Sequence, residues 1–204
     1  MGTIEYVEVA RPRRDALIEY LTLHGVWNPN IKELIDYLYD KTDYFYGPAS
    51  TRWHAAYAGG GFDHAFNVTK VLVDLTEKGV CKPWQRKLSP FLVGLLHDVT
   101  KICAYIARQD MNPLTNEIDT WYEYNPGHYE LSLIHGEDSL LKAKEMISLT
   151  KEEQSCIRWH MGAYEGTTSW DSYDAAIKEF PNVLWTHTAD MYASKIVEHR
   201  LEEC

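Results

Sequence analysis

The sequence has few cysteines, no long apolar run and no surplus of positive charge. Cys81, Cys103, Cys156 and Cys204 are scattered and fit no C-x-x-C spacing. That excludes a thiolate metal cage and makes reduced thiols the expectation. No stretch approaches membrane-spanning length, and the opening MGTIEYVEVARPRR lacks the apolar core of a secretory signal. A cytoplasmic protein with no membrane partner is therefore expected. Lys and Arg number 20 against 30 Asp and Glu, a net charge of −10. This balance argues against broad nucleic-acid affinity through a basic surface, so any phosphate site must be made locally. Repeats, low-complexity tracts and Gly/Ser linkers are also missing. A chain of 204 residues, 45% hydrophobic, can bury one sizeable core. The expected organisation is a single domain over 1–204, with packing helices over 1–47 and a core over 48–204.

What the chain does carry is centred on SPFLVGLLHDVTKI, residues 89–102. Ser89 is a good N-cap and Pro90 suits a first helical turn, so the pattern predicts a helix from Ser89 to about Cys103. Phe91, Leu92, Leu95, Leu96, Val99 and Ile102 form one apolar stripe. Asp98 lies at its edge, where a carboxylate drawn partly out of water needs a cation or donors. With His97 beside it, a metal ion answers that need; two groups that merely hydrogen-bond are the plainer reading.

Elsewhere, helical patterns are expected over 14–23 and 31–39, divided by HGVWNPN, and over 63–78, closed by Gly79. His64 heads the third pattern and aligns with Val68, Val71, Leu72 and Leu75, which aims its imidazole at the core. KICAYIARQDMNPLTNEIDTWYEYN alternates around an NPLTNE turn and predicts a β-hairpin. His135 sits at the mouth of the next helix, whose buried positions are expected to be Ala143, Met146 and Ile147. Thr150 to Glu153 has the form of a capping box, opening a helix that carries Ile157 and His160 and stops at Gly162. Asn182 can cap a last helix with Val183, His187, Asp190, Ser194 and Val197 on one face. His64, His97, Asp98, His135, His160 and Asp190 thus make a coherent set. Neutral imidazoles and carboxylates suit Fe, Mn, Co, Ni or Zn, and this many donors can hold two divalent ions when one carboxylate bridges.

The order H…HD…H…H…D resembles the signature of the HD-domain superfamily of metal-dependent phosphohydrolases. RWHAAYAGGGFDHAFNV, LLHDVTK, IHGEDS and IRWHMG look like blocks of bacterial and bacteriophage HD-domain hydrolases, including relatives of an HD-type 3′-5′ exonuclease. The resemblance covers about residues 48–195. It implies a mostly α fold, a helical bundle with a small β-hairpin insertion. It further implies metal ligation by His64, His97, Asp98, His135, His160 and Asp190, with Asp98 as the bridge. GFDH stands where the family more often has GLxEH, and His128 in NPGHYELSLIHGE competes with His135; the HGEDS block favours His135.

Lys101 matches the lysine that often follows HD by three residues and is a candidate to contact a substrate phosphate, or simply a solvated helix end. Arg52 and Arg158 are further phosphate partners. His54 is a candidate proton donor to the leaving group or substrate contact, and Tyr57 a candidate substrate contact. Trp53, Tyr57, Trp159 and Tyr164 could stack on a base, although core packing is the preferred reading. Glu137 is expected to cap or orient, and His187 to hold Asp190 in place. The function expected is hydrolysis of a phosphoester or phosphoanhydride in a small phosphorylated substrate, a nucleotide by preference. A single-strand 3′-5′ exonuclease or phosphodiesterase is the alternative, which would make nucleic acid the substrate. A mixed-valent di-iron oxygenase and a regulatory metal-binding module are the remaining readings.

Overall fold

In the computed structural model, residues 3–128, 134–165 and 170–198 are described. Among them are eight α-helices and one two-stranded antiparallel sheet, a mostly α fold with a small β-hairpin. The chain divides into two compact units, 1–63 with 101–129, and 64–100 with 130–204. The sequence gives no sign of this division: of its three crossings, that between 129 and 130 lies outside the described residues, and neither of the other two carries a linker. One falls inside a helix, between Asp63 and His64, and the other inside a short 3-10 turn, between Thr100 and Lys101.

In the first unit, α1 (Thr3–Leu23) packs on α2 (Pro29–Lys41) through Leu17, Leu21, Ile31, Leu34, Ile35 and Leu38. α1 starts earlier than its apolar pattern suggests and runs through Pro12. Asn28 caps α2, its side chain accepting from the Asn30 and Ile31 amides at 3.0 and 3.2 Å, with Pro29 at the position where no amide partner is needed. Tyr44, Phe45 and Phe62 form an aromatic cluster, with Phe45 and Phe62 ring centroids 5.0 Å apart. The hairpin pairs β1 (Tyr105–Met111) with β2 (Ile118–Tyr124), in register from Tyr105↔Tyr124 to Met111↔Ile118, around the expected turn.

α3 (Gly60–Glu77) carries His64 into the second unit, and Gly79 follows it at φ 70°, the left-handed conformation that ends many helices. α4 (Ser89–Leu96) is buried on every side, so its apolar residues form a sleeve rather than a stripe. It ends at Leu96, short of the expected Cys103. Neighbouring residues on a regular helix diverge by about 100°, and the winding changes at His97 and Asp98, which meet at one cluster. A 3-10 turn, Val99–Lys101, follows, and Cys103 has φ 61°. Ser89 is not the cap either. It lies in the first turn, and its hydroxyl donates to Glu153 at 2.8 Å.

α5 (His135–Met146) and α4 both pack on α6 (Lys151–Arg158), which in turn packs on α8 (Asn182–Tyr192). Thr150 and Glu153 form the expected capping box. α7 (Trp170–Glu179) has no counterpart in the sequence reading; Tyr173 is buried, and Ala176 and Ile177 pack beside it at helical spacing. Asn182 is inside α8 rather than capping it. Its amide group donates to the Lys82 carbonyl and to buried Glu152, both at 2.9 Å, and accepts from the Lys82 amide. After α8, the winding loosens into a π-helical turn, Ala193–Val197. The core of this unit gathers Val68, Leu72, Val93, Cys156, Ala163, Tyr173, Val183, Ala189 and Ala193. Cys81 and Cys156 are buried free thiols, and Cys204 lies outside the described residues. No described helix is long and apolar enough to cross a membrane.

Candidate metal centre

All six candidate ligands belong to the second unit; the four histidines gather around Asp98, and Asp190 reaches His64. Its two carboxylate oxygens face different partners. Oδ2 lies 3.7 Å from His64 Nε2 and 3.6 Å from His97 Nε2, whereas Oδ1 lies 2.6 Å from His135 Nε2 and 3.4 Å from His160 Nε2. Asp190 joins the first side, with Oδ1 3.2 Å from His64 Nε2. His64, His97 and Asp98 can hold one ion, and Asp98, His135 and His160 another. His128, the competitor to His135, is in the other unit.

Local structure fixes how the imidazoles point. α3 and α4 approach closely because Gly94 has no side chain; a Cβ there would lie 2.5 Å from the Thr69 Cα. His97 Nδ1 donates to the Gly94 carbonyl at 2.8 Å, and His160 Nδ1 to the Ile157 carbonyl at 2.8 Å. His64 Nδ1 donates at 2.8 Å to the carboxylate of Glu198. A carbonyl or carboxylate only accepts, so each Nδ1 bears the hydrogen and each Nε2 is left to face the cluster. His64 and His97 bring their Nε2 atoms to 3.2 Å, both rings being buried. Buried His160 Nε2 makes no well-aligned hydrogen bond, its neighbour Asp98 Oδ1 standing at 3.4 Å. Such an array of lone pairs and carboxylate oxygens demands positive charge, as protons or as metal ions.

The proton affinities express that demand. Burial disfavours charge on His64, yet its hydrogen bonds to Asp190 and Glu198 and the charge of Asp98 together push it up to about 9. Burial takes His97 the other way, down to about 4, against the pull of Asp98 and Asp190. His160 is raised: burial opposes its protonation, but Asp98 outweighs it. For Asp190, burial raises the carboxyl, but His64 and His97 prevail and hold it well below the usual carboxylate range. The donor set of nitrogen and oxygen atoms, with no sulfur, fits a divalent transition metal.

Sequence reasoning misses Glu198. On a regular helix, a residue eight positions after Asp190 points about 80° away from it. The π-helical turn winds more slowly, and Asp190 and Glu198 reach opposite nitrogens of the same imidazole. His187 does not hold Asp190 as expected; its Nδ1 donates to the His160 carbonyl at 2.7 Å. Glu137 neither caps nor touches the cluster. It pairs with Arg158 at 2.8 Å, and the Arg158 guanidinium also stacks on Trp159, 4.2 Å from the ring centre.

The other substrate-side candidates, Arg52, His54, Tyr57 and Lys101, belong to the first unit. Arg52 is exposed, the His54 carbonyl accepts from Ser50 Oγ at 3.1 Å, Tyr57 Oη donates to Asp63 at 3.1 Å, and half-buried Lys101 ends the 3-10 turn. Core packing holds for Trp159 but not for its companions: Trp53 is 81% exposed and Tyr164 82%, and Tyr57 is also exposed. Trp53 and Tyr57 stand outside helices and strands, and Tyr164 in a short 3-10 turn, Gly162–Glu165. No family model, curated protein or solved structure matches this chain.

Proposed function

We propose that this chain is an HD-type metal-dependent phosphohydrolase that cleaves a phosphoester or phosphoanhydride bond of a nucleotide. The observation that carries the reading is the division of Asp98, one oxygen toward His64 and His97 and the other toward His135 and His160, which is how a carboxylate shared by two cations is disposed. Two divalent transition-metal ions, one held by His64, His97, Asp98 and Asp190 and one by Asp98, His135 and His160, would supply a water acidic enough to ionise near neutral pH and neutralise charge on the phosphoryl oxygens. The Nδ1 bonds of His64, His97 and His160 keep their Nε2 lone pairs directed at the cluster. Burial of the same three rings keeps bulk water from competing for these donors. Lys101 is assigned to the substrate phosphate, because its ammonium can pair with an anion but cannot ligate a cation while protonated. Arg158, in the same unit as the cluster, is assigned to a substrate contact, while the sequence pattern alone supports Arg52 and Tyr57 as substrate contacts and His54 as a proton donor.

The net charge of −10 favours a mononucleotide over a strand, since a nuclease tracking a backbone relies on a basic groove. The test purifies the chain, measures its metal content and compares metal-dependent phosphate, pyrophosphate or nucleoside release from mononucleotides with shortening of end-labelled single strands. About two ions per chain and turnover of mononucleotides are expected. Stepwise shortening with mononucleotides left intact would move the assignment to an exonuclease. Dioxygen consumption without phosphate release would overturn both.

A further inference from the structure

Glu198 is the feature of this cluster that the ligand set does not explain. Its side chain is 7% exposed, it meets the ring of His64 from behind at 2.8 Å, and it reaches that place only because the chain loosens into the π-helical turn before it. Its other oxygen, Oε2, is buried with no hydrogen-bond partner. A buried carboxylate with one oxygen unmatched destabilises the fold unless its charge is needed nearby. The nearest use for that charge is the imidazole it touches. The cluster is also lopsided. The His64 side has Asp190 and the Glu198-backed ring in addition to Asp98, while the Asp98, His135 and His160 side has no further described carboxylate in its ligand group, and its His135 is 30% exposed.

We infer that Glu198 is a positioning residue that acts through His64, fixing its Nε2 toward Asp98 and Asp190 and strengthening cation binding at the His64 side over the His135 side. This rests on the metal reading proposed above. A carboxylate accepting the Nδ1 hydrogen makes the ring a better donor at Nε2, and loss of such a partner typically weakens metal binding about 10- to 100-fold. The two cation positions are therefore inequivalent, one tight and buried, the other weaker and more open to exchange.

The experiment titrates the metal-free full chain with Mn2+, following bound ions by calorimetry and by the loss of the free-ion electron paramagnetic resonance signal. The wild type should bind in two steps of different affinity. Glu198→Gln, which keeps a hydrogen-bond acceptor and the volume but removes the charge, should weaken the tighter step about 10- to 100-fold and leave the other in place. His135→Ala should abolish the weaker step alone. A tight step unchanged in Glu198→Gln, or two steps of equal affinity in the wild type, would overturn the inference while leaving the metal reading intact. Failure of the wild type to bind Mn2+, Fe2+, Co2+, Ni2+ or Zn2+ would overturn the metal reading, and the inference with it. Glu198→Ala, checked for folding by circular dichroism, adds the hydrogen-bond loss to the charge loss, and a smaller effect than that of Glu198→Gln would likewise count against the inference.

Discussion

The Nε2 atoms of His64 and His97 stand 3.2 Å apart, with both Nδ1 atoms already donating elsewhere. One cation must lie between them, and without metal that cation is a proton on His64, whose affinity for it is raised to about 9. A metal ion entering this side displaces that proton. Below pH 9, proton and metal compete, so apparent metal affinity should climb as pH rises, by about tenfold per unit for one proton displaced, and level off above about 9. Calorimetry in buffers of different ionisation enthalpy measures the protons released. Binding without proton release would contradict this arrangement, as would unaltered metal content in His97→Ala and Asp98→Ala.

Lys101 offers a test that separates binding of metal from its proposed use. It follows Asp98 by three residues and closes the 3-10 turn. Lys101→Ala should retain the wild-type metal content and lose turnover by about 10-fold or more, the loss expected when a charged contact to phosphate disappears. Equal loss of metal and activity would mark it as a structural residue, and unchanged kinetics as a solvated one.

Gly94→Ala tests the approach of α3 and α4. The added Cβ would lie 2.5 Å from both the Cα and the Oγ1 of Thr69, and the Cα cannot swing aside as a side chain can. Overpacking of this kind costs about 1–3 kcal/mol. Because the two helices carry His64 and lead into His97, metal affinity should fall together with the denaturation midpoint. A variant with normal stability and normal metal binding would show that the helices separate freely.

Acid should act on a different pair. Glu153 is buried and, although burial itself raises its pKa, Arg86, the Thr150 amide and Ser89 together hold it below the ordinary value of 4.5. A depressed carboxyl contributes stability that is present above 4.5 and is lost as pH falls through the folded-state value. Arg86→Met should cost about 1–3 kcal/mol at neutral pH by leaving the buried carboxylate short of donors. It should also move the acid-unfolding midpoint upward. Circular dichroism followed against pH for both chains reads the two effects, and an unmoved midpoint would remove Arg86 from the account.

Much of this was legible in the sequence, for identifiable reasons. Thr150 and Glu153 announce their capping box because the motif is local, and the NPLTNE turn does the same for the hairpin. The gathering of His64, His97, Asp98, His135, His160 and Asp190 is legible because polar groups on apolar faces need one another. Ser89 and Asn182 were misread as caps because their partners, Glu153 and Glu152, are remote in the chain. Glu198 is hidden by the change of winding after Tyr192, and α7 by the shortness of its apolar face, which is Tyr173, Ala176 and Ile177. The exposure of Trp53 and Tyr164 is not legible because composition favours burying such rings, and nothing local says that a bend or a short 3-10 turn will hold them out.

The 134-residue separation between His64 and Glu198 has a consequence for timing. An imidazole and carboxylate so far apart in sequence meet only after the chain has closed a long loop, which is among the slower events in folding. The proposed cation site, which includes Asp190 in the same neighbourhood, would therefore be completed late, past the main folding barrier. Ions should then leave the refolding rate nearly unchanged and slow the unfolding rate, so that the loaded chain is held by a latch fastened last and opened first.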